Sequence, residues 1–201
     1  MGSKDKIVRR EEMTRRTILD TALNMIEDKG CDCISMRKLA DEIGYTAPVI
    51  YTYYKNKESI YLDLAQKGYL LLVNDIKIAR EKEETAVLQI ESMWLAYWNF
   101  AREHREIYQL MFGINTVCFP KEQNVIDSEI IYQLYLPVIS GLFNKTKVDE
   151  NEVRKKFLTF WSLVHGLIAI NMVSKFIGEE TSLKILLDGI RIITGAVNDP
   201  M

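Results

Sequence analysis

The sequence predicts an all-α fold. Helix-forming residues dominate its 201 positions, and no stretch keeps the apolar–polar alternation of a half-buried strand. Only four prolines interrupt the chain, and no Gly/Ser-rich linker or internal repeat breaks it. With 48% hydrophobic and 27% charged residues, it has the composition of an ordinary soluble globular chain, long enough for one domain or two small ones.

Residues 1–8 are polar and read as an unstructured arm. The first helix is expected from Arg10 to Asp28, with Ile18, Ala22 and Ile26 as its inner stripe and Leu19 and Leu23 beside it. Gly30 ends it, and Cys31 to Ile34 connect it to the next. Ser35 caps a second helix with Arg37 in its first turn, a helix end that favours an anion. Leu39, Ala40 and Ile43 share that helix's inner face. Gly44 reverses the chain cheaply because it tolerates positive φ. Thr46 can accept from the freed N–H groups and start a third helix. Pro48 falls in its first turn, where no intrahelical bond is lost. Ile50 and Tyr54 face inward, leaving Ala47, Pro48, Val49, Thr52 and Tyr53 outward. Asn56 then caps a long fourth helix from Lys57 to about Arg80, carrying Ile60, Leu64 and Leu71.

Two short helices joined by a glycine turn form a helix-turn-helix, whose second helix can enter a DNA major groove. The run Leu39-Ala40-Asp41-Glu42-Ile43-Gly44-Tyr45-Thr46, followed by Ile50-Tyr51-Thr52-Tyr53-Tyr54-Lys55-Asn56-Lys57-Glu58, resembles the DNA-binding domain of the TetR family of transcriptional regulators. Thr46 matches that family's cap, Ile50-Tyr51 its Leu-Tyr pair, Tyr53-Tyr54 its aromatic pair, and Asn56-Lys57-Glu58 the start of its next helix. Pro48 stands where the family usually has a small residue, often Gly. The resemblance implies a helix-turn-helix DNA-binding domain over residues 1–56. It also implies a helical effector-binding and dimerisation domain over 57–201, nine helices in all.

Thr85 opens a fifth helix to about His104, with Leu88, Met93, Trp94, Tyr97, Trp98 and Phe100. Arg105 to Gly113 forms a shorter sixth, resembling the Y-R-L-M-F segment of a C-terminal domain type common among these regulators. Asn115 to Gln123, with Pro120, is a loop. A seventh helix spans roughly Asn124 to Phe143, kinked at Pro137. Asp149-x-x-Glu152 reads as a capping box for an eighth helix to about Phe176. Thr181 opens a ninth to about Val197. Trp161 to Gly166 resembles the W-x-x-x-HG signature of the same C-terminal domain type. The eighth helix is apolar nearly all round and must be covered on two sides. A second copy of the chain covers it most economically, with Ser162, Gly166 and Ala169 permitting close approach. Leu183, Leu186, Leu187, Ile190, Ile193 and Thr194 of the ninth helix would complete a four-helix interface.

Charge follows the same division. Residues 1–57 hold 11 Lys/Arg against 9 Asp/Glu, a net +2; residues 58–201 hold 15 against 19, a net −4. Local positive charge, not the whole-chain balance of −2, decides phosphate binding. Arg37, Tyr51, Tyr53 and Lys57 are the candidate phosphate contacts, with Thr46 at the cap and Arg9 and Arg10 reaching from the arm. Ala47, Pro48, Val49 and Thr52 are the candidate base contacts. The first three lack hydrogen-bonding side chains, so readout there would be apolar and aided by DNA shape. A small lipophilic or aromatic effector is expected against Trp94, Tyr97, Trp98, Tyr108, Met111, Phe112, Phe143, Phe160, Trp161 and His165, with cation–π attraction open to a cationic one.

Other classes find little support. His104 and His165 are the only histidines, with no H-x-x-x-H, G-x-S-x-G or phosphate-loop motif, so no enzyme, metal or cofactor is expected. Three cysteines make no disulfide framework; Cys31 and Cys33 read as a loop feature, and Cys118 stands alone. The N-terminus lacks an apolar signal core. Thr159, Ser162, His165, Gly166 and Asn171 interrupt the most apolar run, Phe157 to Val173, which reads as a buried helix, not a membrane span. The expected compartment is the cytoplasm, and the expected partners are operator DNA, a second copy and the effector. Repression is the family's common mode. The alternative is a helical interaction protein with a vestigial helix-turn-helix.

Overall fold

The computed structural model describes residues 3–114, 128–143, 148–174 and 177–195. The expected loop at 115–123, Cys118, the start of the seventh helix and the last residues of the eighth and ninth lie outside them. Among the described residues the fold is all-helical: α1 (Ser3–Lys29), α2 (Met36–Ile43), α3 (Ala47–Tyr53), α4 (Lys57–Glu81), α5 (Ala86–Glu103), α6 (Arg105–Phe112), α7 (Ser128–Gly141), α8 (Glu150–Val173) and α9 (Glu179–Gly195), with a 3-10 turn at Cys31–Cys33.

Most boundaries follow local chemistry. Ser35 accepts from the Lys38 N–H at 3.2 Å and caps α2. Gly44 closes α2 at φ 75°. Asn56 and Ser59 cap α4 reciprocally: Asn56 Oδ1 accepts from the Ser59 N–H at 3.0 Å, and the Ser59 hydroxyl accepts from the Asn56 N–H at 3.4 Å. Thr85 caps α5 through the Leu88 N–H, and Asp149 caps α8 through the Asn151 N–H. Pro137 lies inside α7.

Four expectations are corrected. The polar N-terminal stretch is helical from Ser3, because Lys, Arg and Glu favour helix and no Gly or Pro stops it between there and Arg10. Along α4 the core position is Leu72, fully buried, while Leu71 is exposed: a long helix drifts off a strict seven-residue repeat. Leu88 of α5 is likewise exposed. Cys31 is disulfide-bonded, which the odd cysteine count did not announce; Cys33 keeps its thiol, which donates to the Met25 carbonyl at 3.1 Å.

By packing, the chain divides into two compact units, with the cut inside α4: Met1–Gly68 with Glu106–Val125, and Tyr69–Arg105 with Ile126–Met201. In the first unit, Ile18, Ala22 and Ile26 of α1 meet Leu39 and Ala40 of α2, Ile50 and Tyr54 at α3, and Ile60, Tyr61 and Leu64 of α4. Leu110 of α6 joins the same cluster. Gly68 of α4 makes room for α6: a Cβ there would collide with Ile107 and lie 2.6 Å from Met111 Sδ. In the second unit, α5, α7, α8 and α9 pack around Trp94, which stacks on Tyr135 at 4.1 Å and on Phe160 at 6.0 Å.

Candidate functional site

The first unit builds one protruding surface from α2, its turn and α3. Ile50 and Tyr54 pin α3 to the core, with Ile50 fully buried. Pro48, Val49, Tyr51 and Thr52 are left exposed on it. Ala47 is half-buried and packs on the core, a correction to its expected outward position: it starts the helix, on the turn that abuts α2. Tyr53 is also half-buried against the core. Thr46 occupies the cap with extended backbone but its side chain makes no cap hydrogen bond, contrary to expectation. Its carbonyl takes the Val49 N–H at 2.9 Å and the Ile50 N–H at 3.4 Å, so the helix starts on backbone bonds alone. The Thr52 hydroxyl donates to the Val49 carbonyl at 2.7 Å.

Basic residues border this surface. Arg37 is exposed in the first turn of α2, and Lys57 is half-buried at the start of α4. Helical α1 brings Lys6, Arg9 and Arg10 into one groove with Tyr45 from the turn. A second groove places Glu11 and Glu12 near Thr52 and Tyr53. Arg15 lines that second groove as well, so its charge is mixed where that of the first is positive.

Arg15, Tyr54 and Asp63 tie α1, the end of α3 and α4 together. The Tyr54 phenol donates to Asp63 Oδ2 at 2.9 Å and accepts from Arg15 Nε at 3.3 Å. Arg15 also donates to the Tyr53 carbonyl at 3.2 Å. Burial first, then the Asp63 hydrogen bond, pushes the Tyr54 pKa far up, so it remains a donor. The sequence assigns neither Arg15 nor Asp63 a role here, because residues 39 and nine positions from Tyr54 carry no local signal.

The aromatic set divides between the units. Tyr108, Met111 and Phe112 belong to the first, with Tyr108 and Met111 fully buried and the Tyr108 and Phe112 rings 4.5 Å apart. Trp94, Tyr97, Trp98, Phe143, Phe160, Trp161 and His165 belong to the second. Trp94, Tyr97 and Phe160 are fully buried in ring–ring packing. Trp161 donates its indole N–H to the Tyr97 phenol at 3.0 Å. His165 lies 5.7 Å from the Trp161 ring, and burial lowers its pKa. Phe143 is half-buried past the end of α7. Trp98 alone of the set lines the 530 Å³ cleft of the second unit.

Two family models match the chain along its length. Bacterial regulatory proteins of the tetR family match residues 18–64, and the tetracyclin repressor-like C-terminal domain matches residues 90–189. The chain belongs to the TetR family. It is a DNA-binding transcriptional regulator of that family. YobS of Bacillus subtilis, an uncharacterized HTH-type transcriptional regulator, is 22% identical over 181 residues, covering 89% of this chain and 90% of its own. The class D tetracycline repressor protein of Escherichia coli is 34% identical over 53 residues, 26% of this chain and 24% of its own. Among solved structures, the regulatory protein SCO4313 superposes with a TM-score of 0.76 at 17% identity, covering 93% of this chain and 98% of its own. At that identity the likeness speaks to the fold alone. TetR-family regulators act as dimers on operator DNA and respond to small molecules.

Proposed function

We propose that this TetR-family protein is a cytoplasmic homodimeric repressor, released from its operator by a small lipophilic or aromatic effector. The observation that carries the DNA half is the exposed N-terminal surface of α3, held on a closed apolar core and bordered by Arg37, Lys57, Lys6, Arg9 and Arg10. Arg37, Tyr51, Tyr53, Lys57 and Thr46 take phosphates; Pro48, Val49 and Thr52, with Ala47 at the edge, read bases. Two copies present two such helices ~34–36 Å apart, one turn of DNA. Residues 1–56 are the DNA-binding part and 57–201 the effector and dimer part.

The dimer forms through α8 and α9. The α8 helix is long and apolar enough to cross a membrane by length and composition, yet most of that stretch is not buried within the chain. Leu158, Ile170 and Val173 of α8, with Ile185 and Ile192 of α9, are large exposed apolar residues that a second copy would cover. An effector in the C-terminal part acts through its different affinity for the DNA-competent and DNA-incompetent states, with α4 as the lever. Two relatives carry opposite signs in their names: a tetracycline repressor over 53 residues, and the activator FasR of Mycolicibacterium smegmatis over 107. The sign therefore rests on the family's common mode.

A gel shift on the DNA flanking the protein's own gene tests this. Specific, salt-sensitive retardation, weakened by Tyr51→Ala with Lys57→Ala, is the expected result. Retardation untouched by that pair, or absent at every salt concentration, would leave the interaction-protein reading.

A further inference from the structure

The second unit holds a cleft of about 530 Å³, within the range of small-molecule sites, lined by the C-terminal half of α5, the end of α8 and the start of α9. Its lining has two characters. Trp98, Ala101, Ile168 and Met172 are apolar and buried. Arg102 and Arg105 are exposed cations lining the same cleft, against one carboxylate, Glu179. Glu179 pairs with Arg102. Arg105 Nη2 donates to the Met172 carbonyl at 2.7 Å, which fixes the guanidinium against the end of α8. That bond uses one of its five N–H donors.

Trp98 presents ring surface to the cleft, on a side chain only 2% exposed. Its indole N–H is fully buried and, among the described residues, has no hydrogen-bond partner, as is also true of the Trp94 N–H and the Tyr132 hydroxyl in the core. The polar group at the cleft's α9 side is, by contrast, already satisfied. The fully buried Ser182 hydroxyl lies 3.1 Å from both Asn171 Oδ1 and the Gly178 carbonyl. Among the described lining residues Arg102 is matched by Glu179 and Arg105 is not, so the uncompensated charge is positive.

We infer that this cleft binds a small amphipathic carboxylate, its apolar body against Trp98, Ile168 and Met172 and its oxygens on Arg105. A planar guanidinium matches a carboxylate better than any neutral acceptor. The inference rests on the ligand-responsive reading above and narrows it: the effector is an anion as well as lipophilic.

Three probes that share a phenylalkyl body test it by calorimetric titration of the full chain: 4-phenylbutyrate, its neutral amide and the corresponding amine. The carboxylate is expected to bind at least about tenfold more tightly than the amide, a difference typical of one charge-assisted bond. Arg105→Gln should erase that preference. Arg154→Gln, on α8 outside the cleft, should leave it intact. Equal affinity for the three probes, no binding of the carboxylate, or a preference that survives Arg105→Gln would overturn the inference. A gel shift run in parallel separates the two readings. Carboxylate binding that depends on Arg105 without any DNA retardation sinks the regulator reading alone; retardation without carboxylate binding sinks the cleft alone.

Discussion

Tyr54 donates its phenolic hydrogen to Asp63 Oδ2 at 2.9 Å and so fastens the end of α3 to α4. The Arg15 guanidinium lies over the Tyr54 ring, 4.9 Å from its centroid, and closes the link to α1. The orientation of α3 thus depends on side chains from both neighbouring helices. Replacing Tyr54 by Phe keeps the ring and removes the bond. It should cost ~1–2 kcal/mol by denaturant unfolding, because Asp63 loses its donor and Arg15 an acceptor. A double-mutant cycle with Asp63→Asn should show strong non-additivity; simple additivity would mean the two groups do not act together.

Ser35 and Thr46 both occupy helix caps, but only Ser35 makes a side-chain cap bond. Ser35→Ala should therefore cost ~1 kcal/mol of stability. Thr46→Ala should change stability little, and should instead weaken operator binding if its hydroxyl meets a phosphate. Measured melting temperatures that rank the two variants the other way would contradict the capping geometry.

Gly68 marks the tightest approach of α4 to α6. An added methyl would meet Ile107, whose β-branched chain has little freedom to move aside, and Met111. Gly68→Ala is expected to destabilise by ~1–3 kcal/mol despite Ala's better helix propensity. A stabilised variant would show that α6 can shift outward without loss.

Burial lowers the pKa of His165 below its ordinary 6.5. The sign follows from proton binding: the unfolded chain takes up a proton near 6.5, while the folded chain resists it until lower pH. Stability is then complete above pH 6.5 and falls as pH drops below it. The melting temperature should decline on acidification from 6.5 toward the lowered folded value, and His165→Asn should flatten that decline. An unchanged slope in the variant would place the acid sensitivity elsewhere.

Ile192 is 71% exposed on α9 and Val173 67% exposed on α8. A charge at each should separate copies that meet there without disturbing the core of one chain. Light scattering should give twice the 23.3 kDa chain mass for the parent and a single chain mass for Val173→Glu with Ile192→Glu. A dimer that survives the double change would move the interface away from α8 and α9.

Legibility tracked sequence distance. Ser35, Gly44, Asn56, Thr85 and Asp149 each mark a boundary that a residue within three or four positions completes. Thr46 marks the right place by the wrong bond, because the first turn of α3 uses its backbone carbonyl. The start of α1 leaves no local mark, because nothing near Ser3 stops a helix. Whether Leu71 or Leu72 faces the core depends on how far the long α4 has turned by that point, which no local pattern tells.

The sequence by itself determined the helix-turn-helix: the Ser35 cap, the Gly44 turn and the four-residue spacing of Ile50 and Tyr54 are all local features. Tertiary structure alone decided what the aromatics do. Tyr135 reaches the Met93 carbonyl across 42 positions and Trp161 reaches Tyr97 across 64, and these bonds close most of the set into packed rings in which, among the described residues, the Trp94 and Trp98 N–H groups stay unmatched. The same Trp or Tyr at helical spacing serves as core or as cleft wall. Which it becomes depends on the helix packed opposite, and that neighbour is set by the whole chain's packing and not by the residue's own surroundings in sequence.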